Sequence, residues 1–560
     1  MISIKKVFSN ITAYQALLLL LVAVVLFRLF YIPFNGYFPH FDGDVYAHLS
    51  RFKQFWHSGV FREEIFPFAN APYGEAWHYT RLFDLVALIF VYPASLFFEF
   101  ESVFPAVSNT IPMLFHLFSA LLLWYGLKPY KRSWLMAGLC LLYAPTFSAH
   151  FHFGAFDHHF LEIFFAFGTV AFALRYFNKP DRKQLFFMTL CLACAFWVSI
   201  EGLFFYFFVM GAFFILYLLK KEKIQTLIFI QAVYTSLILL FLLINPPYEG
   251  FFFFELGRLS IFYVAFHLWI LSSLLLLSKV PQKLSYQITI PACISILFLL
   301  LFKDGLFMPL MSKTLYDYWY WALEDVKPIF NSVFAVYVFF YVSVIVLCFI
   351  RFQKKRPISL FLLFGSCFYF LMMIFHVRFN VFLSVICSFS LPLCFSIKTK
   401  KRDYAFILLI AFILPTVYLI FRYSNPFKPR SRLIARPVYE FLQQGSDAGV
   451  LLADADSAMY LHYKTERPIV AWNFYRDPRG LETYYRIFRS PPRARYIVAQ
   501  LKERNVKTIV LSKYVNRDVF KKGMFLHLIQ VDRNIPKFLK PVPLPPDVAA
   551  FWDVYDVVYD

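Results

Sequence analysis

The stretch RFQKKRPISLFLLFGSCFYFLMMIFHVRFNVFLSVICSFSLPLCFSIKTKKR (residues 351–402) shows in miniature how the whole chain is built. Two basic clusters, Arg351/Lys354/Lys355/Arg356 and Lys398/Lys400/Lys401/Arg402, enclose two apolar segments, 357–375 and 379–397, that meet at a turn over His376–Asn380. Each segment has close to the ~20 residues that a helix needs to cross a hydrocarbon core of roughly 30 Å. Lys and Arg collect on the cytoplasmic flanks of membrane helices, so two clusters around two apolar runs mark a pair of helices that leaves the cytoplasm and returns to it.

The same arrangement recurs at Lys5/Lys6, Lys128/Lys131/Arg132, Lys179/Arg182/Lys183, Lys220/Lys221/Lys223 and Lys279/Lys283. With every cluster cytoplasmic, helices fall near 11–32, 108–127, 133–150, 158–176, 184–198, 202–219, 224–245, 259–278, 286–303, 329–350, 357–375, 379–397 and 403–421. About thirteen crossings put the N-terminus in the cytoplasm and the C-terminus outside a cell or inner membrane. The apolar stretch Leu85–Phe98 is read as an interfacial helix, because a further crossing there would turn Lys128, Lys131 and Arg132 outward. The run Ala13–Leu26 has no small-residue cleavage site after it and reads as a retained first helix.

Composition agrees: 60% of the 560 residues are hydrophobic and 16% charged, against nearer half and a quarter in soluble domains. The net charge of +21 lies mostly in the clusters between apolar runs, with no basic stripe interleaved with aromatics, so a nucleic-acid partner is not indicated. All eight cysteines fall within apolar runs, which excludes a disulfide-stapled ectodomain. Cys191 and Cys194 form a C-x-x-C whose mid-helix position favours packing over redox chemistry.

The chain divides into a transmembrane domain, 1–422, and an extracytoplasmic domain, 423–560. The first contains two long outward loops, 33–107 and 303–328. In the second, strand-like runs (Val450–Ala453, Ile469–Trp472, Thr508–Ser512) alternate with helical patterns (Val438–Gln444, Arg493–Arg504), which predicts a small α/β fold. It has no G-x-G-x-x-G and no P-loop.

Carboxylates and imidazoles beside membrane helices are costly and therefore informative. They occur in three outward places: Asp42-Gly43-Asp44-Val45-Tyr46-Ala47-His48, Asp157-His158-His159-Phe160-Leu161-Glu162, and Glu324-Asp325-Val326-Lys327-Pro328. Asp and His together suit Mn²⁺ or Mg²⁺, whereas a structural zinc site would want Cys or more His. The competing reading makes Asp157 an N-cap, His158 a satisfied interfacial histidine and Asp42 a solvated loop residue.

In order and sidedness these motifs, with Phe66-Pro67-Phe68, Pro72-Tyr73-Gly74 and Arg81-Leu82-Phe83-Asp84-Leu85, resemble the catalytic subunit of oligosaccharyltransferases, above all the single-subunit archaeal and bacterial forms. The resemblance implies a polytopic α-helical fold of the GT-C type. It implies metal ligation by Asp44, Asp157 and His159, catalytic roles for Asp44 and Glu324, and contact of Arg378 with the diphosphate of a lipid-linked donor. The implied partners are a polyprenyl-phosphate-linked glycan, membrane lipid, and a protein or glycolipid acceptor. Arg378 as a plain topological anchor competes with its diphosphate role.

One departure bears on the acceptor. Where the family carries Trp-Trp-Asp-Tyr-Gly, this chain reads Asp454-Ala455-Asp456-Ser457-Ala458, so that Asp456 alone is kept as an acceptor-binding residue. Glycan transfer to protein therefore competes with transfer to a glycolipid or polysaccharide. A transporter of lipid-linked sugar is the third reading, but transporters place charge at the midplane within related repeats, and here the acids lie in loops at one face. Reporter fusions after Arg132 and Arg356 should read cytoplasmic and a fusion at Asp560 external; an external signal after Arg132 would require Leu85–Phe98 to span.

Overall fold

A computed structural model of the chain describes residues 43–62, 65–77, 80–129, 150–151, 153–281, 285, 289, 342, 345, 357–395, 435–444, 449–472, 479–489, 491, 494–513 and 522–559. Five of the helices predicted from charge (11–32, 133–150, 286–303, 329–350 and 403–421) lie outside these residues. The chain folds as two units: one comprises 1–37, 79–308 and 324–424, the other 38–78, 309–323 and 425–560. The described structure begins in the second unit with helix α1 (Gly43–Ser58) and a short antiparallel hairpin, β1 (Ile65–Phe66) and β2 (Glu75–Ala76).

Among the described residues nine helices follow in the first unit: α2 (Leu82–Ser95), α3 (Phe100–Leu127), α4 (His159–Asn178), α5 (Arg182–Val198), α6 (Gly202–Leu218), α7 (Ile224–Ile244), α8 (Ile261–Leu277), α9 (Pro357–Phe375) and α10 (Asn380–Phe395). All the predicted helices that fall in described residues are present. α3 starts at Phe100, earlier than the predicted 108. Among the described residues α3, α4, α7 and α9 are long and apolar enough to cross a membrane, and α2, α6, α8 and part of α10 are shorter apolar helices. α2 has 14 residues, about 21 Å of helix, well short of a hydrocarbon core. Phe83, Ala87 and Val91 on one side of it are buried, while Ile89, Tyr92 and Leu96 are exposed, which suits a helix lying in an interface.

Small residues set the close helix contacts. A Cβ on Gly126 of α3 would come within 2.9 Å of the Ala171 backbone in α4, and one on Gly168 of α4 within 2.6 Å of the Cys191 sulfur in α5. Cys191 thus fills a helix contact, as its mid-helix position implies. Such approaches are how helices associate where no hydrophobic force distinguishes neighbour from lipid. A Cβ on Gly202 would meet the backbone of Ala195 and Phe196 at 2.4 and 2.3 Å, so the α5–α6 turn closes only around glycine.

The second unit continues with α11 (Ala435–Gln444), β3 (Val450–Ala453), α12 (Ala455–Thr465), α13 (Arg479–Arg489), α14 (Ala494–Glu503), β4 (Val506–Ser512), α15 (Phe525–Gln530), β5 (Leu539–Pro541), α16 (Pro546–Ala549) and β6 (Trp552–Val557). The sheet order is β3-β4-β6-β5, with β3 and β4 parallel and the other pairs antiparallel. Its core includes Leu452, Tyr484, Phe488, Ile497, Leu501 and Ile509. The Ile469–Trp472 run contributes a single bridge, Ile469 to Leu451, rather than a full strand.

Residues 65–77, far away in sequence, are built into this unit. Ala71 N–H donates to the Ile469 carbonyl at 3.0 Å, and Ile469 N–H to that of Phe68 at 2.7 Å. The buried Arg504 guanidinium donates to Asn70 Oδ1 (2.7 Å) and to the carbonyls of Asn70 and Ala71 (both 3.0 Å), and it reaches Thr483 Oγ1 at 3.0 Å. Trp472 Nε1 donates to Glu75 Oε2 at 2.6 Å. Removing Arg504 strands several buried acceptors at once. Arg504→Ala should therefore destabilise the second unit by about 3 kcal/mol or more and open residues 65–77 to limited proteolysis. An unchanged cleavage pattern would contradict this role.

Candidate metal and anion site

The first unit gathers ionisable groups where α4 begins. Asp157 is buried just before the helix; its Oδ1 accepts the backbone N–H of His159 at 2.8 Å and lies 3.0 Å from His158 Nδ1. Its Oδ2 is 3.9 Å from His150 Nδ1. One turn on, Glu162 Oε2 meets His159 Nδ1 at 2.8 Å, the i, i+3 spacing of neighbours on a helix face. The rings of His158 and His159 lie 4.1 Å apart between centroids, and those of His150 and His159 4.9 Å apart. Asp157 thus accepts an N–H of the first turn, in keeping with the capping reading, and also faces the imidazoles of His158 and His150.

Electrostatics follow from this packing. Burial by itself would raise the pKa of Asp157; the charges of His159 and His158, with the nearby imidazoles of His150 and His158, outweigh it and hold the carboxyl well below the ordinary range. The group is a carboxylate throughout the physiological range.

A divalent cation fits these residues. One donor atom from each of His158, His159 and Glu162 lies within 4.8 Å of the others. Neighbouring ligands of an ion with bonds of about 2.1 Å are ~3 to 3.4 Å apart, so only small shifts are required. Glu162 is buried, and its Oε1 has no hydrogen-bond partner among the described residues, a cost that a coordinated ion removes. Imidazole and carboxylate together suit Mn²⁺ and Zn²⁺ better than Mg²⁺, which prefers oxygen alone.

A cation from the protein lies in the same unit. Arg378 sits in a 3₁₀ turn (Val377–Phe379) between α9 and α10, and its Nη2 is 2.8 Å from Glu201 Oε1 at the start of α6. Glu201 is within electrostatic reach of Glu162, His159 and His158. Of the residues singled out in sequence, then, Asp157, His159 and Arg378 belong to one unit. Asp44 is half-buried in the first turn of α1, in the other unit. Asp456 is in the first turn of α12, and Glu324 lies outside the described residues.

His150, Glu162 and Glu201 take part without having been assigned roles from sequence. Glu162 stood in the motif already read. Glu201 could have been found from the charge clusters, because the turn between segments 184–198 and 202–219 faces outward by the same count that places Asp157.

The described residues thus combine apolar helices, four of them long enough to cross a membrane, with a C-terminal α/β unit. No protein-family model and no curated protein matches the chain. Among solved structures it is similar to the archaeal oligosaccharyltransferase AglB from Archaeoglobus fulgidus in complex with an inhibitory peptide and a dolichol-phosphate, with TM-score 0.66 and 16% identity over 90% of this chain and 70% of that one. The apo form of the A. fulgidus enzyme gives TM-score 0.67 at 14% identity, with the same coverage. Its complex with Zn and sulfate gives 0.64 at 15%, covering 89% of this chain and 68% of that one. The oligosaccharyltransferase fold is thereby shared.

Purified protein should bind Mn²⁺ more tightly than Mg²⁺. Glu162→Gln should weaken Mn²⁺ binding by about 10-fold or more, measured by titration calorimetry in detergent or nanodiscs. Equal affinity in wild type and Glu162→Gln would remove Glu162 from the ligand set.

Proposed function

We propose that this chain is a glycosyltransferase that moves a glycan from a polyprenyl-phosphate or diphosphate lipid to an acceptor at the outer face of a membrane. The observation that carries this reading is the Asp157–His158–His159–Glu162 cluster at the start of α4, within a fold shared with oligosaccharyltransferase. The A. fulgidus protein has been solved with dolichol-phosphate and with a tethered acceptor peptide containing the NVT sequon; both support a lipid donor and a protein acceptor here.

In this reading His158, His159 and Glu162 would hold a divalent ion, Mn²⁺ before Mg²⁺; the family resemblance implies Asp157, Asp44 and Glu324 as further carboxylates of the reaction. The bound ion supplies Lewis-acid stabilisation of the negative charge left on the departing phosphate. Arg378 offers the phosphate oxygens a guanidinium whose planar fork suits bidentate contact. Asp157 keeps the two histidines oriented and, as a permanent carboxylate, keeps the cluster ready for a cation at neutral pH.

A specific observation bears on the acceptor. Asp454, which stands where the family has its first tryptophan, accepts the Ser457 N–H at 3.1 Å through Oδ1 and caps α12. A residue engaged in capping a helix builds no apolar wall around a sequon hydroxyl. A site shaped to bond a hydroxyl rejects the analogue lacking it by about 10⁴-fold, and that discrimination is not supported by these residues. This favours, as a second reading, a glycolipid or polysaccharide acceptor.

Asp157→Ala and Asp44→Ala should each abolish transfer while leaving the protein folded. Paired peptides carrying Asn-x-Thr or Asn-x-Val should be glycosylated to a similar extent, with glycolipid acceptors assayed in parallel. Near wild-type turnover in Asp157→Ala would overturn the site assignment, and a strong Thr requirement would make asparagine-linked protein glycosylation the firm reading.

A further inference from the structure

Glu201 is a half-buried carboxylate that the reaction outlined above does not use. Part of its placement has a local cause: it stands at the N-terminus of α6, where negative charge is favourable, on a turn that Gly202 alone can close. The helix dipole does not require the side chain to extend to another element, yet Glu201 Oε1 lies 2.8 Å from Arg378 Nη2. The two elements are fixed against each other at this point. Phe204 of α6 packs on Phe379, next to Arg378, with ring centroids 4.9 Å apart, and Phe379 is itself buried. The ion pair is thus carried on a rigid seat, with side-chain exposures of 23% for Arg378 and 13% for Glu201.

We propose that Glu201 is a positioning residue for Arg378, and that its charge also tempers the grip of Arg378 on the phosphates of the lipid donor. This rests on the lipid-donor reading given above. A guanidinium has five N–H donors in a fixed plane, so one edge can stay on Glu201 while another meets a phosphate. Held in this way, Arg378 loses little rotational freedom when the donor arrives. Arg378 paired with a carboxylate also attracts a diphosphate less strongly than an unpaired guanidinium would. That moderation matters to a transferase whose spent lipid phosphate must leave, because binding energy spent equally on substrate and product slows turnover. Glu162, His159 and His158 at the start of α4 are within electrostatic reach of Glu201.

The test is binding of a glycan-free polyprenyl diphosphate to the full-length protein in nanodiscs, together with donor kinetics. Glu201→Gln keeps a hydrogen bond to Arg378 and removes the charge. It should tighten lipid diphosphate binding by about 10-fold or more, lower the KM for donor, and lower kcat. In an Arg378→Ala background the same substitution should change none of the three. Glu201→Asp keeps the charge and draws it back by one methylene; it should leave diphosphate affinity within about 2-fold of wild type and raise the donor KM through looser positioning. Equal effects of Glu201→Gln with and without Arg378, or unchanged binding in Glu201→Gln, would overturn the proposal while leaving the transferase reading in place. Failure of the wild-type protein to bind the lipid diphosphate at all would instead overturn the lipid-donor reading, and this proposal with it.

Discussion

A charge beside a membrane helix is tolerated only when a neighbour compensates it, and the functional half of this structure is arranged around that constraint. Asp157 is ionised because two histidines and a helix N-terminus surround it, and the histidines are held in turn by Asp157 and Glu162. Glu201 and Arg378 solve the same problem as a pair. The cluster at the start of α4 leaves one buried carboxylate oxygen of Glu162 without a hydrogen-bond partner among the described residues, which suits a cation.

Much of this was legible in the sequence, because membrane insertion follows simple rules. Charge clusters and apolar run length placed α4 through α10 to within about two residues where they are described and α3 at its C-terminal end, while the charge pattern set apart the 85–98 run, which forms the 14-residue α2. The motif at 157–162 was visible because polar residues are rare in such a context. What stayed hidden was pairing at long range. Nothing in the local sequence of Glu201 announces Arg378, and the turn holding Glu201 is too short to stand out in a hydropathy pattern.

The C-terminal unit shows the same limit. Its strands β3 and β4 and its helices α11 and α14 followed from alternation and periodicity. The strands β5 and β6 did not, because β5 is three residues long and β6 alternates apolar residues with aspartates. Most of all, residues 65–77 read as an outward loop of the membrane domain, whereas they complete the C-terminal unit. The contact between Asn70 and Arg504 spans 434 positions; only the buried guanidinium and its waiting carbonyls explain it.

The central claim is that the start of α4 is a metal centre. Anomalous scattering from crystals grown or soaked with Mn²⁺, recorded on the low-energy side and at the peak of the manganese edge, tests it directly. The account predicts a manganese peak within about 2.5 Å of side-chain atoms of His158, His159 and Glu162. Full Mn²⁺ occupancy elsewhere, with His159 and Glu162 still bonded to each other, would contradict it.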